Sequence, residues 1–399
     1  MDGHGSAQKG YFEAGAQQGR APHLLHVFPS FGIGGVPLRI VTVINHLGSA
    51  FRHTIVALDA NCAAGDQVDA HVDAALLPVA ADKTRPLQAL ATYRKALAGT
   101  APDLLLTYNW GAIEWGLVNM MRPVCPHIHF ESGFGPEEAD RQLMRRVLFR
   151  RLVLSRAHAL VVPSQTLYDL ATQVWKIPEA RVQHVPNGVD CVRFAAEPDP
   201  AAIAGFTRQQ GELIVGTLAP LRREKNIARL LDAFAGLTGA GQVRLLIVGD
   251  GPERASLMRH AERLAIADRV IFAGHVQRPE RVLGLMDLFV MSSDTEQMPN
   301  ALLQAMAAGR AVASVAVGDV KAMLSPENRP FAVARDEEGA LTVAMAELLR
   351  DAALRLRLGR CNQDHARRHY DMPQMFAAYR ALFATDTAVR FSHGMPNDA

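Results

Sequence analysis

Short apolar runs alternate with helix-periodic segments along most of the chain. In the first half, the apolar runs predict strands at 23–28, 53–58, 103–107, 127–130, 158–162 and 181–185. In the second half, they predict strands at 212–217, 243–248, 269–272, 288–291 and 311–314. Segments of helical periodicity, such as 86–97 and 137–155, separate these runs. The alternation predicts an α/β fold in which parallel sheets are covered by helices on both faces.

The alternation is interrupted at residues 186–211, which contain the turn-forming stretches PNGVD and EPDP. We therefore predict two Rossmann-like doubly wound domains, at 21–190 and 191–365, followed by a helix at 366–385. The polar, small-residue-rich ends, 1–20 and 386–399, are predicted to be flexible tails. Because open parallel sheets bind ligands at the carboxyl ends of their strands, we expect a ligand site in the cleft between the two sheets.

Composition narrows the class of protein. Of the 399 residues, 49% are hydrophobic and 21% are charged, which is typical of a globular protein. The net charge of +2 is too small to argue for a nucleic-acid partner. The four cysteines lie far apart and form no metal-ligand pattern, so we expect a reducing, cytoplasmic location and no bound metal. The sequence predicts neither a targeting segment nor a membrane span.

The first predicted strand leads into a glycine-rich loop that contains Gly32, Gly34 and Gly35 and is followed at once by a helix. Such a loop can hold an anion on its free backbone N–H groups. It also fits a tight strand–helix turn with no ligand, and it lacks the full G-x-G-x-x-G spacing of a dinucleotide site.

Loops of the second half carry more charge. Arg222, Arg223 and Lys225 follow the strand 212–217, at the point where a phosphate would sit. The alternative is an ordinary solvated loop. Gly249 and Gly251 follow the next strand and also lead into a helix.

The stretch 292–309, SSDTEQMPNALLQAMAAG, joins a polar loop to an apolar helix. Glu296 lies in the loop, and Pro299 suits the first turn of the helix, whose free N–H groups favour a phosphate. The apolar neighbours of Gln304 predict that it is buried, and a buried amide needs hydrogen-bond partners. A sugar hydroxyl or the neighbouring backbone could supply them.

Five features in order resemble retaining nucleotide-sugar glycosyltransferases of the GT-B fold, the glycosyltransferase family 4 group. They are Gly34-Gly35, the stretch 186–190 (PNGVD), Glu224-Lys225-Asn226, the stretch 248–252 (VGDGP), and Glu296 with Gln304 before Ala305-Met306-Ala307. The likeness extends from about residue 23 to about residue 383 and is strongest over 186–318.

The resemblance implies an acceptor-side first domain, a donor-binding second domain and a C-terminal helix that crosses back to the first. It implies that Lys225 neutralises the donor diphosphate, that Glu296 lies near the transferred sugar, and that position 304 bonds the ribose. It also directs attention to His129 and Glu131, which we expect to face the cleft as further catalytic residues. The donor-binding residues that it implies are Gly34, Gly35, Arg222, Arg223, Lys225, Gly249, Asp250, Gly251, His275, Val276, Glu296, Met298, Pro299, Asn300 and Gln304.

Three positions depart from the family pattern. Gln304 stands where a glutamate is usual, Pro220 where a phosphate-binding arginine is usual, and Gln297 where glycine is usual. A histidine usual after the fourth strand is replaced by Ser132. These departures leave an alternative open, a GT-B protein that binds a sugar nucleotide but has weak or no turnover. We favour transfer, because a glutamine still accepts and donates hydrogen bonds.

The resemblance therefore implies sugar transfer from a nucleotide diphosphate sugar to a hydroxyl acceptor (a glycan, a lipid-linked acceptor or a small molecule), with retention and without a metal. The donor is a co-substrate, and no cofactor is expected. Residues 141–152 form a basic amphipathic stretch that could lie against anionic lipid on the cytoplasmic face of a membrane. The alternative is an ordinary surface helix whose Leu143, Val147 and Leu152 face the sheet.

Overall fold

The computed structural model describes residues 20–134, 138, 141–237 and 242–393, with side chains to residue 384. Residues 1–19 of the predicted N-terminal tail, the last six residues and part of the segment 137–155 lie outside the described residues. Among the described helices, none is long and apolar enough to cross a membrane.

The first sheet contains seven parallel strands in the order β3-β2-β1-β4-β5-β6-β7. Successive strands are added outwards from β1 on one side and from β4 on the other, which creates a switch point between β1 and β4. The strands are β1 (His23–Phe28), β2 (Arg52–Ala57), β3 (Ala74–Leu76), β4 (Leu104–Tyr108), β5 (His127–Phe130), β6 (Ala159–Val162) and β7 (Val182–His184).

The second sheet contains six parallel strands in the order β10-β9-β8-β11-β12-β13, with its switch point between β8 and β11. The strands are β8 (Leu213–Leu218), β9 (Val243–Val248), β10 (Val270–Gly274), β11 (Leu288–Met291), β12 (Ala311–Val315) and β13 (Ala332–Val333). Two doubly wound parallel sheets confirm the predicted fold class.

Helices cover both sheets. In the first domain they are α1 (Gly35–Leu47), α2 (Pro86–Thr100), α3 (Ile113–Met121), α4 (Met144–Leu154) and α5 (Gln165–Asp169). In the second they are α6 (Cys191–Phe194), α7 (Ile227–Ala235), α8 (Arg254–Arg263), α9 (Glu280–Leu283), α10 (Asn300–Ala307), α11 (Val320–Met323), α12 (Ala340–Arg350) and α13 (Ala352–His369). The final helix is α14 (Met372–His393).

The apolar spacing explains how the helices dock. In α7, Ile227, Leu230, Leu231 and Phe234 follow the i, i+3, i+4, i+7 pattern, and all four are buried against the second sheet. Burial of each such side chain contributes roughly 1.5–3 kcal/mol. The side chains of α14 that are buried belong instead to the core of the first domain, together with β1, β4 and α1. The last helix therefore packs on the first domain.

Candidate active site

Lys225 and Glu296 form an ion pair at the carboxyl ends of the strands of the second sheet. Lys225 follows β8 and Glu296 follows β11, the two strands that flank the switch point. Lys225 Nζ lies 2.6 Å from Glu296 Oε1, and the side chains are 20% and 10% exposed. Ser293 Oγ donates to the same Oε1 at 2.8 Å. The pair is thus largely enclosed but still open to a ligand.

Asn226 and Asp294 fix the two loops that carry this pair. Asn226 has a positive φ of 42° and caps α7 by accepting from the N–H of Arg229 at 3.1 Å. Its amide group donates to both carboxylate oxygens of Asp294, at 3.1 and 3.0 Å. Arg229 adds an ion pair with Asp294 at 2.7 Å, and Asp294 N donates to the carbonyl of Glu224 at 2.9 Å. The position of Lys225 is therefore set by neighbours on both sides.

The glycines after β9 permit a close approach of backbones. Gly249 has φ 138°, and a Cβ there would lie 1.9 Å from the carbonyl oxygen of Ala219. Gly251 has φ 159°, and its Cβ would lie 2.5 Å from the carbonyl oxygen of Leu221. These glycines support the loop before Lys225, because any side chain would displace it. Asp250 joins the same contact by accepting from the N–H of Leu221 at 2.9 Å.

Helix α10 starts beside the pair. Pro299 directly precedes its first residue, Asn300, as the sequence predicts to within one residue. Gln304 is partly buried rather than buried, although Leu303 and Ala305 on either side of it are fully buried. Within the described residues, its side chain makes no hydrogen bond, so the neighbouring backbone does not satisfy the amide.

Loops of the first domain reach the start of α10. A Cβ on Gly35 would lie 3.5 Å from the side-chain nitrogen of Asn300, so the glycine-rich loop touches this helix. Asn187, in the PNGVD stretch, donates to the Met298 carbonyl at 3.1 Å and to Asn300 Oδ1 at 3.0 Å. Met298 is itself buried in the core, where its sulfur accepts from the N–H of Asn187. Met298 and Asn300 thus connect the two domains through their hydrogen bonds with Asn187.

His129 and Glu131 do not face the cleft, and that expectation is wrong. Both are fully buried. Because alternate residues of a strand share a face, His127, His129 and Glu131 all point towards the side covered by α3 and α4. There Arg150 of α4 lies 3.5 Å from Glu131, and His129 lies 3.8 Å from it.

The same buried face of the first sheet holds two histidines and an arginine. Thr107 Oγ1 lies 2.7 Å from His127 Nε2 and from His129 Nδ1. Burial, with the nearby His129, lowers the pKa of His127 to about 3. The Arg150 guanidinium is enclosed by the rings of Trp110, Phe134 and Trp175, with centroids 4.9–5.2 Å away. This cluster belongs to the interior of the first domain.

The side chains of the remaining predicted donor residues of the second domain lie away from the Lys225–Glu296 pair. Arg222 and Arg223 are exposed and line a cavity of about 360 Å³ with Asn226, Glu253 and Asp294. His275, also exposed, and the partly buried Val276 follow β10, which is two strands away from β8. Pro220 is exposed as well. The predicted donor residues of the second domain thus extend along the carboxyl edge of its sheet, and among their described side chains Lys225 and Glu296 form an ion pair.

Sequence reasoning missed several residues that shape the site. A Cβ on Gly318 (φ 51°) would lie 2.1 Å from the Glu296 carbonyl oxygen, so this glycine fixes the loop from behind. Arg39 of α1 donates to Asn187 Oδ1 and, at 2.9 Å, to Ser132 Oγ. The PNGVD stretch was a signal for Asn187, but nothing in the local sequence indicated Arg39 or Gly318.

The two facing parallel sheets and the loops between them define a GT-B protein. The fold superposes on the UDP complex of Anabaena Alr3699/HepE with a TM-score of 0.77, at 17% sequence identity, over 91% of this chain and 100% of that one. A model described as "Glycosyltransferase Family 4" matches residues 33–193, and one described as "Glycosyl transferases group 1" matches residues 212–351. The chain belongs to this group of glycosyltransferases, as its motifs indicated.

Individual relatives share about a quarter of the aligned residues with this chain. The chain is 26% identical over 270 residues to a 2-deoxystreptamine N-acetyl-D-glucosaminyltransferase of Streptomyces fradiae, and the match spans 63% of each chain. It is 28% identical over 297 residues to a GDP-mannose-dependent alpha-mannosyltransferase of Mycobacterium tuberculosis, spanning 69% of this chain and 74% of the relative. The first of these matches covers less than two thirds of the relative's length.

Proposed function

We propose that the protein is a glycosyltransferase that moves a sugar from a nucleotide diphosphate sugar to a hydroxyl acceptor, with retention of configuration and without a metal. The observation that carries the proposal is the Lys225–Glu296 pair, 2.6 Å apart at the switch point of the second sheet. A lysine placed there can neutralise a departing diphosphate, and a ligand phosphate would compete with Glu296 for its ammonium group.

The chemistry requires the bond between the sugar and the diphosphate to break while the acceptor hydroxyl oxygen bonds to the same carbon and gives its proton to the departing diphosphate. The electron pair leaves with the diphosphate, so fixed positive charge beside it lowers the barrier. Lys225 supplies that charge, and the free N–H groups at the start of α10 add to it. In this proposal Glu296, whose carboxylate is held by Ser293 and Lys225, contacts the transferred sugar.

The names of relatives indicate the classes of donor and acceptor to test. One relative is named for a GDP-mannose donor, another for 2-deoxystreptamine and a third, of Streptococcus pneumoniae, is an alpha-monoglucosyldiacylglycerol synthase. The solved structures include complexes with UDP and UDP-glucose. UDP- and GDP-sugars are therefore the first donors to test, and sugar, amino-cyclitol and lipid hydroxyls the first acceptors.

A thermal-shift screen with UDP, GDP and their sugars, followed by turnover assays, tests the proposal. We expect one nucleotide series to raise the melting temperature and its sugar to be transferred, in the presence of EDTA, to a product with the donor's anomeric configuration. Nucleotide binding without turnover on any acceptor would support the alternative, a binding protein that has lost activity. Inversion in the product would contradict the stereochemical part alone.

The exposed face of α4 supports a lipid-side role for the first domain. Met144, Leu148 and Leu152 recur every four residues and are 62%, 60% and 45% exposed, with the exposed Arg145 and Arg151 beside them. Leu152 thus faces outwards, whereas Val147 is buried, as expected for an ordinary surface helix. We propose that this face contacts anionic lipid.

Liposome flotation tests the lipid contact. We expect binding to vesicles that contain phosphatidylglycerol, weaker binding to phosphatidylcholine alone, and loss of binding in Leu148→Glu. Leu356→Glu, a change at an equally exposed leucine of α13 (66% exposed), is the matched control and should bind as the wild type does. Equal flotation of both variants would contradict the proposal.

A further inference from the structure

Asp319 of the second domain binds α5 of the first. Its carboxylate accepts from the backbone N–H of Gln165 at 2.5 Å and from that of Thr166 at 3.0 Å. It also accepts from Thr166 Oγ1 at 2.6 Å. Ser164 already caps this helix within the first domain, by accepting from the N–H of Leu167. Asp319 therefore satisfies separate donors, and it does so only while the two domains are together.

The segment that carries Asp319 also touches the loop of Glu296. Asp319 N donates to the carbonyl of Gln297 at 3.1 Å, and the Gly318 backbone packs against the Glu296 carbonyl. Gln297 Oε1 in turn accepts from Ser164 Oγ of the first domain at 3.3 Å. A movement of Asp319 away from α5 would consequently displace the loop that carries Glu296.

We propose that Asp319 is a positioning residue that couples closure of the two domains to the placement of Glu296. The inference rests on the proposed function for its effect on turnover, but not for its effect on domain closure. Hydrogen bonds to a charged carboxylate are stronger than those between neutral groups, and these three exist only in the closed arrangement. Because these hydrogen bonds form in the closed arrangement and not in an open one, they stabilise the closed form relative to the open form.

Asp319→Ala tests the effect on turnover, and Asp351→Ala is the matched control. Asp351 is an exposed residue whose carboxylate also accepts from a backbone N–H in the first turn of a helix, but its bond to the N–H of Leu354 (2.8 Å) stays within one domain. We expect kcat to fall about 10- to 100-fold in Asp319→Ala, in line with the loss of charge-assisted hydrogen bonds, and to remain unchanged in Asp351→Ala. Asp319→Asn, which keeps one acceptor oxygen for Thr166, should recover part of the loss.

Distance measurements test the closure directly. Cys62 in the first domain and Cys361 in the second are partly exposed, whereas Cys125 and Cys191 are buried, so spin labels can be placed on the former pair. We expect pulsed electron paramagnetic resonance to show longer and broader distances in Asp319→Ala than in the wild type, with and without UDP or GDP.

The two experiments separate two kinds of failure. If the wild type transfers no sugar, the proposed function fails, and the distances still decide the role of Asp319 in closure. Equal distance distributions in Asp319→Ala and Asp351→Ala would overturn the inference. A fall in kcat equal in both variants would overturn it too, because loss of a cap would then explain the effect.

Discussion

Replacement of Lys225 by alanine is the most direct test of the site. The substitution removes an ammonium group that lies 2.6 Å from Glu296 Oε1 and leaves Ser293 as the remaining donor to that oxygen. The backbone around it should persist, because Asn226 and Asp294 hold the loop through their own side chains. The perturbation is therefore local to the charge.

Two magnitudes separate the catalytic and the structural consequences. Loss of one fixed group that stabilises developing charge costs about 3 kcal/mol of barrier, or roughly a 100-fold loss of kcat. Loss of an ion pair that is largely enclosed but still in contact with solvent costs roughly 1–3 kcal/mol of folding stability. Activity should thus fall about 100-fold, whereas the melting temperature should fall by only several degrees and leave the protein folded in the assay.

The assay measures transfer at saturating donor alongside thermal unfolding. Lys95→Ala, a change at an exposed lysine of α2, is the control and should keep wild-type kcat. Lys225→Arg should recover part of the activity, since it restores the charge with a different shape. If Lys225→Ala retained near-wild-type kcat, the diphosphate role of Lys225 would be refuted, even if donor affinity changed.

Two further changes test other parts of the structure. If the side chain of Gln304 contacts the ribose, Gln304→Glu should bind the donor more tightly, as measured by calorimetry. The variant should fold normally, because Gln304 is partly exposed and makes no side-chain hydrogen bond among the described residues. Unchanged affinity would contradict the ribose role. Burial lowers the pKa of His53 from 6.5 to about 4, so as pH falls through this window the unfolded state takes up the proton first and roughly 3 kcal/mol of stability is lost. His53→Gln should flatten that slope in denaturant titrations, whereas a change at the exposed His71 should not; a slope equal to the wild type would contradict this account.

Strand positions could be predicted from the sequence because the central strands of a doubly wound sheet are buried on both faces. Their sequences are then mostly apolar, with no more than two polar residues each, as in β1, β5, β9 and β11, whose bounds agree with the predicted ones. Two edge strands, β3 and β13, were missed. They contain only three and two residues, too few for a recognisable apolar run.

Site residues could be predicted only where the motif itself carries the chemistry. Lys225 and Glu296 lie far apart in sequence, yet the parallel topology brings the ends of their strands together. His129 and Glu131 show the limit of this reasoning. Polar residues on a strand look like cleft residues, and only the packing of Arg150 from α4 shows that they are enclosed.

Gln297 shows how a departure from a family pattern can acquire a physical reason. A glycine at this position would have no side chain to reach Ser164, whereas the glutamine accepts a hydrogen bond from it across the cleft. The glutamine also lies against Gly133, where a Cβ would approach its Cγ to 3.6 Å. A side chain directly after Glu296 thus contacts two loops of the first domain. Gln297 in place of glycine makes the loop less flexible. It also adds contacts between the domains, and these contacts help to fix the position of Glu296.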